Sequence, residues 1–139
     1  MQRRYPSQPL VGVGAIIMRK TKMMIVKRAN EPAKGLWSVP GGVVELGEHL
    51  HDAIKREVNE ETGLKVDIER LVDAVDNIVF DEQGRIQYHY VLLDYLCRPH
   101  SGLLKASDDV LEIQWVTLDA LQSLPITPSL SRVIAKIRE

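Results

Sequence analysis

Three glutamates in one short stretch are the residues whose types and spacing could do chemistry. Glu60 and Glu61 follow Glu57 by three and four positions, so in a helix all three would lie on neighbouring turns. Carboxylates at this spacing repel one another by about 0.2–0.5 kcal/mol per exposed pair, and by more where water is scarce. They would also crowd the C-terminal half of a helix, where the dipole disfavours negative charge. A hard divalent cation such as Mg²⁺, which binds carboxylate oxygens, would relieve these repulsions.

The stretch from Leu50 to about Thr62 predicts a helix that stops at Gly63. On a helical wheel Glu57 and Glu61 fall in the middle of the apolar side, and Glu60 lies at its edge. The apolar residues that define this side are Leu50, Ala53, Ile54 and Val58. A solvated acidic end of a surface helix is the usual explanation of a charge run. Two carboxylates among apolar neighbours favour a metal site instead.

The same glutamates belong to a longer pattern. Its fixed positions are Gly42, Glu48, Arg56, Glu57, Val58, Glu60, Glu61, Gly63 and Leu64. This spacing resembles a complete Nudix box, with no departure at any position of the motif. The stretch from Gly35 to Gly41 resembles the usual lead-in, and the strand around Trp115 resembles the usual follow-on. Most of the chain is therefore similar to a stand-alone Nudix hydrolase, with one domain over residues 1–139.

The resemblance implies an α+β fold, an α/β/α sandwich in which helices flank a central mixed, largely antiparallel sheet. Patterns of apolar residues predict the strands and helices. The predicted strands are Leu10 to Met18 and Met23 to Lys27 as a hairpin, Leu36 to Val39, Lys65 to Phe80 paired with Ile86 to Cys97, and Val110 to Val116. A short helix is expected over Leu118 to Leu124, and an amphipathic one over Ser129 to Arg138. Residues 1–9 are expected to be a flexible lead or an edge segment, and Arg98 to Asp109 a polar connection.

By resemblance, the three glutamates are catalytic. Glu57 and Glu61 are then the principal ligands of Mg²⁺, or of Mn²⁺, with the backbone carbonyl of Gly41 completing the shell. Glu60 is a further ligand or the group that takes a proton from the attacking water. The choice between ligand and base stays open, because coupled carboxylates do not titrate independently.

Four other positions of the motif are expected to be structural: Gly42, Glu48, Arg56 and Gly63. Glu48 and Arg56 project from the polar side of the helix, so we expect them to pair and to brace the preceding loop. The alternative for Glu48 is a role behind the metal ligands.

Outside the motif, Arg28, Trp37 and Asp109 are the candidate substrate-binding residues. Arg28 ends the second strand and could bind phosphate, with simple surface basicity as the alternative. Trp37 could stack on a ring, although a tryptophan between Leu36 and Val39 is more often a core residue. Asp109 is chosen by its spacing over Asp108 and Glu112, and a solvated turn is the alternative. Along Tyr88-His89-Tyr90, one face of the strand is expected to meet substrate.

The resemblance implies Mg²⁺-dependent hydrolysis of a pyrophosphate bond in a nucleoside diphosphate derivative, with ADP-ribose or a nucleotide sugar favoured. Some ADP-ribose-cleaving members carry a proline beyond the box, and this chain has none between Pro40 and Pro99. A nucleoside triphosphate pyrophosphatase that clears damaged nucleotides is therefore the alternative. A nucleotide-sensing module without activity is a further alternative, which the intact motif disfavours.

Composition narrows the partners. A net charge of −1 gives no electrostatic reason for binding nucleic acid or membranes. The single cysteine, Cys97, cannot form an internal disulfide and lies in an apolar run, which suits a buried strand and a reducing compartment. The apolar run from Leu10 to Met18 is too short to span a membrane. We expect a cytoplasmic protein whose partner is a nucleotide-derived small molecule, and a homodimer stays open.

Overall fold

The computed structural model describes residues 2–138, in which seven strands form one sheet and two α-helices flank it. The strands are β1 (Leu10–Arg19), β2 (Lys22–Arg28), β3 (Trp37–Ser38), β4 (Gly41–Val43), β5 (Leu64–Phe80), β6 (Ile86–Gly102) and β7 (Val110–Thr117). The helices are α1 (Leu50–Thr62), between β4 and β5, and α2 (Pro128–Ile137) at the end of the chain. A 3₁₀ turn, Asp119–Ser123, lies between β7 and α2.

Strand β1 lies at the centre of the sheet. The order across the sheet is β3-β2-β1-β6-β5, with β4 also pairing with β1 and β7 with β2. The β1–β6 pair is parallel, with Leu10 opposite Tyr90 and Gly14 opposite Asp94. The other pairs are antiparallel. The sheet is therefore mixed and largely antiparallel, as expected.

Alternate residues of β1 face opposite layers, as the two-residue period of a strand requires. On one face, Val13, Ala15 and Ile17 pack against α1, which contributes the buried Ala53, Ile54 and Val58. On the other face, Ile16 packs in a second cluster with Leu130 and Val133 of α2. Each such side chain contributes roughly 1.5–3 kcal/mol by leaving water. The two clusters confirm helices on both faces of the sheet.

Local signals set the ends of both helices. Helix α1 ends at Gly63, whose φ of 80° is left-handed, and the Gly63 N–H donates to the Asn59 carbonyl at 2.9 Å. The Thr62 hydroxyl donates to the Val58 carbonyl at 2.6 Å and so closes the last turn. Helix α2 begins at Pro128, one residue before the predicted start, because the Thr127 hydroxyl caps it by accepting the Leu130 N–H at 3.2 Å.

The predicted connection from Arg98 to Asp109 is wrong in its first part. Strand β6 continues to Gly102, because its polar end pairs with the start of β5 in a ladder from Leu64 opposite Gly102 to Asp67 opposite Arg98. Backbone hydrogen bonds to β5 stabilise the extended conformation here, although the side chains are polar. The predicted short helix after β7 is a 3₁₀ turn.

The segment before β1 packs against the β5–β6 hairpin, within the described residues 2–9. The Tyr5 N–H donates to the Gln87 carbonyl at 2.7 Å, and the Tyr5 hydroxyl donates to Asp81 Oδ2 at 2.7 Å. These contacts fit the expected edge segment; Met1 lies outside the described residues. Cys97 is fully buried, as expected. No helix within residues 2–138 is long and apolar enough to cross a membrane.

Candidate active site

A cleft of about 850 Å³ opens beside β1, within the usual size range of small-ligand sites. Its walls come from the C-terminal half of α1, from β4 and β6, and from the first residues of α2. The segment before β1 and the loop after β2 form its rim. The cleft brings together most of the residues selected from the sequence: Arg28, Gly41, Gly42, Arg56, Glu57, Glu60, Glu61 and Asp109.

Glu61 lies half-buried in the wall of this cleft. Its Oε1 accepts a 2.7 Å hydrogen bond from the Gly41 N–H, which ties the end of α1 to β4. Burial raises the pKa of the Glu61 carboxyl to about 7, against the lowering effect of the Gly41 bond. The Glu57 and Asp109 carboxylates raise it further, and Arg28 lowers it. Glu61 is therefore an acid whose negative charge lacks adequate compensation.

Glu57 lies one turn earlier, with its side chain only 14% exposed. Gly42 makes room for it, since a Cβ at position 42 would overlap the Glu57 carboxyl group. Burial raises the pKa of Glu57, and the hydrogen bond from Arg56 lowers it. Glu57 Oε1 accepts this bond from Arg56 Nη1 at 2.7 Å. The absence of a side chain at Gly42 thus allows β4 and α1 to approach closely.

The predicted pairing of Glu48 with Arg56 is present in the structure. Arg56 Nε donates to Glu48 Oε2 at 2.7 Å and Nη2 donates to Oε1 at 2.9 Å, a bidentate geometry. Nη2 also donates to the Val43 carbonyl at 3.1 Å, so Arg56 joins the loop after β4 to α1. The hydrogen bond from Arg56 lowers the pKa of Glu48 to about 2. Arg56 does more than brace, because it also contacts Glu57 and, at 3.4 Å, Glu60.

The third glutamate of the motif, Glu60, points outward with a side chain that is 60% exposed. Across residues 2–138, no three acidic, histidine or cysteine side chains converge closely enough to form a ready-made metal site. The glutamates are gathered along one wall, and Arg56 takes up part of their charge. Their chemistry nevertheless fits Mg²⁺ or Mn²⁺, because carboxylate oxygens are the ligands of hard cations and burial already disfavours Glu57 and Glu61 as free anions.

Two of the three candidate substrate contacts lie at the cleft. Arg28 lines it while its Nε donates to the Pro32 carbonyl at 2.7 Å. Asp109 lines it from the loop before β7, and its Oδ1 accepts the Asn30 amide at 3.1 Å. Its charge also acts on Glu61. This position distinguishes Asp109 from Glu112, which is exposed on β7 and accepts from Gln114.

Trp37 has a different position. It is 4% exposed and packs in the cluster beneath α2, with neighbours that include Met23 and Leu121. The structure therefore corrects the substrate-stacking assignment, because the ring is enclosed by core side chains. Trp37 is a core residue, which was the alternative interpretation of its sequence position.

Three features of the cleft were not found from the sequence. Arg3, in the segment before β1, lines the cleft and its charge lowers the pKa of Glu57 and of Tyr90. Asp94 of β6 is buried in the cleft wall. The Gly12-x-Gly14 pair, read as part of a buried strand, lies on the cleft floor. Strand pairing places Asp94 and the two glycines, and the packing of the first segment against the β5–β6 hairpin places Arg3. A single sequence carries no local signal for either. Tyr88 and Tyr90 do line the cleft, as expected for one face of that strand.

Comparison with known proteins gives one family. Residues 8–137 match the model of the NUDIX domain. An ADP-ribose pyrophosphatase of Methanocaldococcus jannaschii is 36% identical over 116 residues, which cover 84% of this chain and 66% of that protein. A MutT-like protein of Streptomyces ambofaciens is 32% identical over 116 residues, which cover 81% of this chain and 68% of that one. The chain thus spans about two thirds of the length of these relatives.

A solved structure agrees over nearly the whole chain. The crystal structure of a MutT NUDIX hydrolase from Burkholderia pseudomallei superposes with a TM-score of 0.83 and 31% sequence identity. The match covers 94% of this chain and 99% of the other.

Proposed function

The chain belongs to the NUDIX domain family, and on that premise we propose that it hydrolyses a pyrophosphate bond in a nucleoside diphosphate derivative, with Mg²⁺ or Mn²⁺ as cofactor. One observation carries the proposal. Glu57 and Glu61 are both withdrawn from water in the wall of one cleft, and burial raises the pKa of both. Burial makes the ionised forms of these two adjacent carboxyl groups unfavourable. A bound cation would compensate their charge and so explain the arrangement.

Glu57 and Glu61 would hold the cation, with Glu60 and the Gly41 carbonyl as further ligands. A carboxylate-bound divalent cation neutralises a pyrophosphate and lowers the pKa of a bound water. Where Glu60 is not engaged as a ligand, it is our choice for the group that takes the proton of the attacking water.

The other residues of the site position these groups. The Gly41 N–H fixes Glu61, and Arg56 fixes Glu57 and the loop that carries Glu48. Arg28 supplies positive charge at the rim, where it would bind a phosphate of the substrate. Asp109 lies beside Arg28, hydrogen-bonded to the loop after β2, and would help to orient the same part of the substrate.

For the substrate we propose ADP-ribose or a nucleotide sugar. Support comes from the Methanocaldococcus jannaschii relative, whose name describes an ADP-ribose pyrophosphatase. The cleft, at about 850 Å³, is large enough for a nucleotide with a second sugar. The alternative is a nucleoside triphosphate pyrophosphatase, which the absence of a proline between Pro40 and Pro99 keeps open.

The test is a Glu61→Gln variant, which removes a charge without removing volume. We expect hydrolysis with Mg²⁺ to fall by about a hundredfold or more, the size of loss that follows removal of one electrostatic contact to a transition state. The thermal transition should stay near that of the native chain. Glu82→Gln, in the exposed turn between β5 and β6, is the matched control and should keep full activity.

The assay should present ADP-ribose, nucleotide sugars and nucleoside triphosphates side by side, with products resolved by chromatography. Near-normal turnover in Glu61→Gln would show that the assigned carboxylates are wrong. A strong preference for triphosphates with release of pyrophosphate would contradict ADP-ribose or a nucleotide sugar as substrate and favour a nucleoside triphosphate. Binding of ADP-ribose without any hydrolysis would identify a sensing module.

A further inference from the structure

Asp94 of β6 is a buried acid in the cleft to which the proposed reaction gives no role. Asp94 is only 4% exposed, and it lines the cleft. Its Oδ2 has no hydrogen-bond partner among residues 2–138. Buried polar atoms are nearly always hydrogen-bonded, since an unsatisfied one retains the full cost of its desolvation. A ligand that donates a hydrogen bond here would satisfy the atom.

Two glycines of β1 make the space in front of Asp94. Gly14 lies opposite Asp94 in the parallel β1–β6 pair, and a Cβ at position 14 would overlap Asp94 Oδ1. A Cβ on Gly12 would lie 2.8 Å from Leu92 Cδ2. Because both positions lack a side chain, the Asp94 carboxyl group and the Leu92 side chain can lie directly against β1 at the floor of the cleft.

Other polar residues line the same cleft. Tyr88 and Tyr90 lie further along the face of β6 that carries Asp94, since residues two apart point the same way. On the other side lie Thr127 and Ser129, at the start of α2.

Asp94 and the glutamates line the same cleft. Gly42, beside Glu57, and Asp94 lie on strands that flank β1 on opposite sides, and two strand spacings, about 10 Å, separate their backbones. A nucleotide with its pyrophosphate at the glutamates would reach Asp94 with its base.

The charge of Asp94 indicates which partner it needs. Burial raises the pKa of Asp94 to about 6, the Asp73 carboxylate raises it further, and Arg132 lowers it. A carboxylate accepts hydrogen bonds at both oxygens, and the neutral acid keeps an acceptor oxygen, so a donor on the ligand matches the unpaired Oδ2. The matching group on a base is an N–H donor.

We propose that Asp94 accepts a hydrogen bond from an exocyclic amine of the substrate's nucleobase, so that the cleft prefers an amino-bearing base. The inference rests on the proposed function in one respect, that the ligand of the cleft is a nucleotide. It extends that function by naming a residue that selects the base.

The experiment measures binding of nucleoside monophosphates by isothermal titration calorimetry, in pairs that differ by one exocyclic amine. The pairs are AMP with purine riboside monophosphate, GMP with IMP, and CMP with pyrimidin-2-one riboside monophosphate. We expect the native chain to bind the amine-bearing member of at least one pair about tenfold more tightly, as for a hydrogen bond to a charged group. Which pair responds identifies the base.

Two variants test the assignment to Asp94. Asp94→Leu replaces the acceptor by a larger apolar side chain, so the preference should shrink to less than about twofold by the same arithmetic. Asp94→Asn keeps an acceptor without charge and should lie between the two. Asp76→Asn, at an exposed position of β5, is the control and should keep the native preference.

Equal affinities within all three pairs, a preference that survives in Asp94→Leu, or no binding of any monophosphate would each overturn the proposal. The calorimetry tests the role of Asp94 separately from the proposed hydrolysis, because it measures binding and not turnover. An inactive chain that still prefers the amine would contradict only the hydrolase assignment. An active chain without the preference would contradict only the role of Asp94.

Discussion

At the scale of single residues, burial and hydrogen bonding act in opposite directions on the charge of Glu61. Burial raises its pKa to about 7, whereas the hydrogen bond from the Gly41 N–H lowers it. Glu48 shows the reverse balance, since the hydrogen bonds of Arg56 dominate and lower its pKa to about 2. Two glutamates of one motif thus have different roles. Glu48 is a charge with its partner supplied by the chain, and Glu61 is an acid for which we propose a cation as partner.

Asp94 gives a pH-dependent prediction. Its pKa in the folded chain is about 6, above the ordinary value of 3.8, so the ionised form is disfavoured by folding. The contribution of the neutral acid to the free energy of unfolding is fully present below the ordinary pKa. It is lost as the pH rises from about 4 to about 6, because the unfolded chain ionises first. At about 1.4 kcal/mol per pKa unit, the loss is about 3 kcal/mol.

Asp94→Asn cannot ionise and should not show this loss. The free energy of unfolding, measured with urea from pH 4 to pH 7, should therefore fall by about 3 kcal/mol more in the native chain than in the variant. Asp76→Asn should follow the native profile throughout. Parallel profiles for the native chain and Asp94→Asn would show that Asp94 is not buried as an isolated acid.

At the scale of elements, the end of α1 is the junction on which the position of Glu61 depends. Gly63 has a φ of 80°, and a Cβ there would overlap the Leu103 carbonyl oxygen. Gly84, in the β5–β6 turn, has a nearly equal φ of 78° but open space around it. Alanine at either position incurs the strain of a left-handed backbone, about 1–2 kcal/mol.

The two alanine variants should therefore differ. Gly84→Ala should lose about 1 kcal/mol of unfolding free energy, and Gly63→Ala should lose at least about 1–2 kcal/mol more because Leu103 must move. Urea unfolding of the two proteins measures the difference directly. Equal losses would mean that the loop after β6 yields freely and does not fix the end of α1.

Elements with strong local signals were predicted well. The start and stop of α1 follow from its apolar period and from Gly63, and the hairpin of β1 and β2 follows from two apolar runs around a basic turn. The polar end of β6 was missed because only its pairing with β5 makes it a strand. Asp94 was missed for a related reason. Its significance depends on lying opposite Gly14 in a parallel pair, a register that no local pattern encodes.

At the scale of the whole molecule, the packing of a helix on each face of one sheet leaves part of the sheet open as a cleft. Helix α1 covers one face and supplies the glutamates, while α2 covers the other and begins beside Asp94. The segment before β1 folds back along the hairpin and brings Arg3 to the rim. The site is thus assembled from segments distant in sequence, and the central claim of the proposed function is a divalent cation at α1.

The most direct test is a titration of Mn²⁺ into the protein without nucleotide, with free Mn²⁺ followed by electron paramagnetic resonance. The native chain and Glu82→Gln should bind the ion with equal affinity. Glu61→Gln should bind it at least about tenfold more weakly, since one charged ligand is lost. Equal binding by all three proteins, or no binding by the native chain, would contradict a cation site on α1.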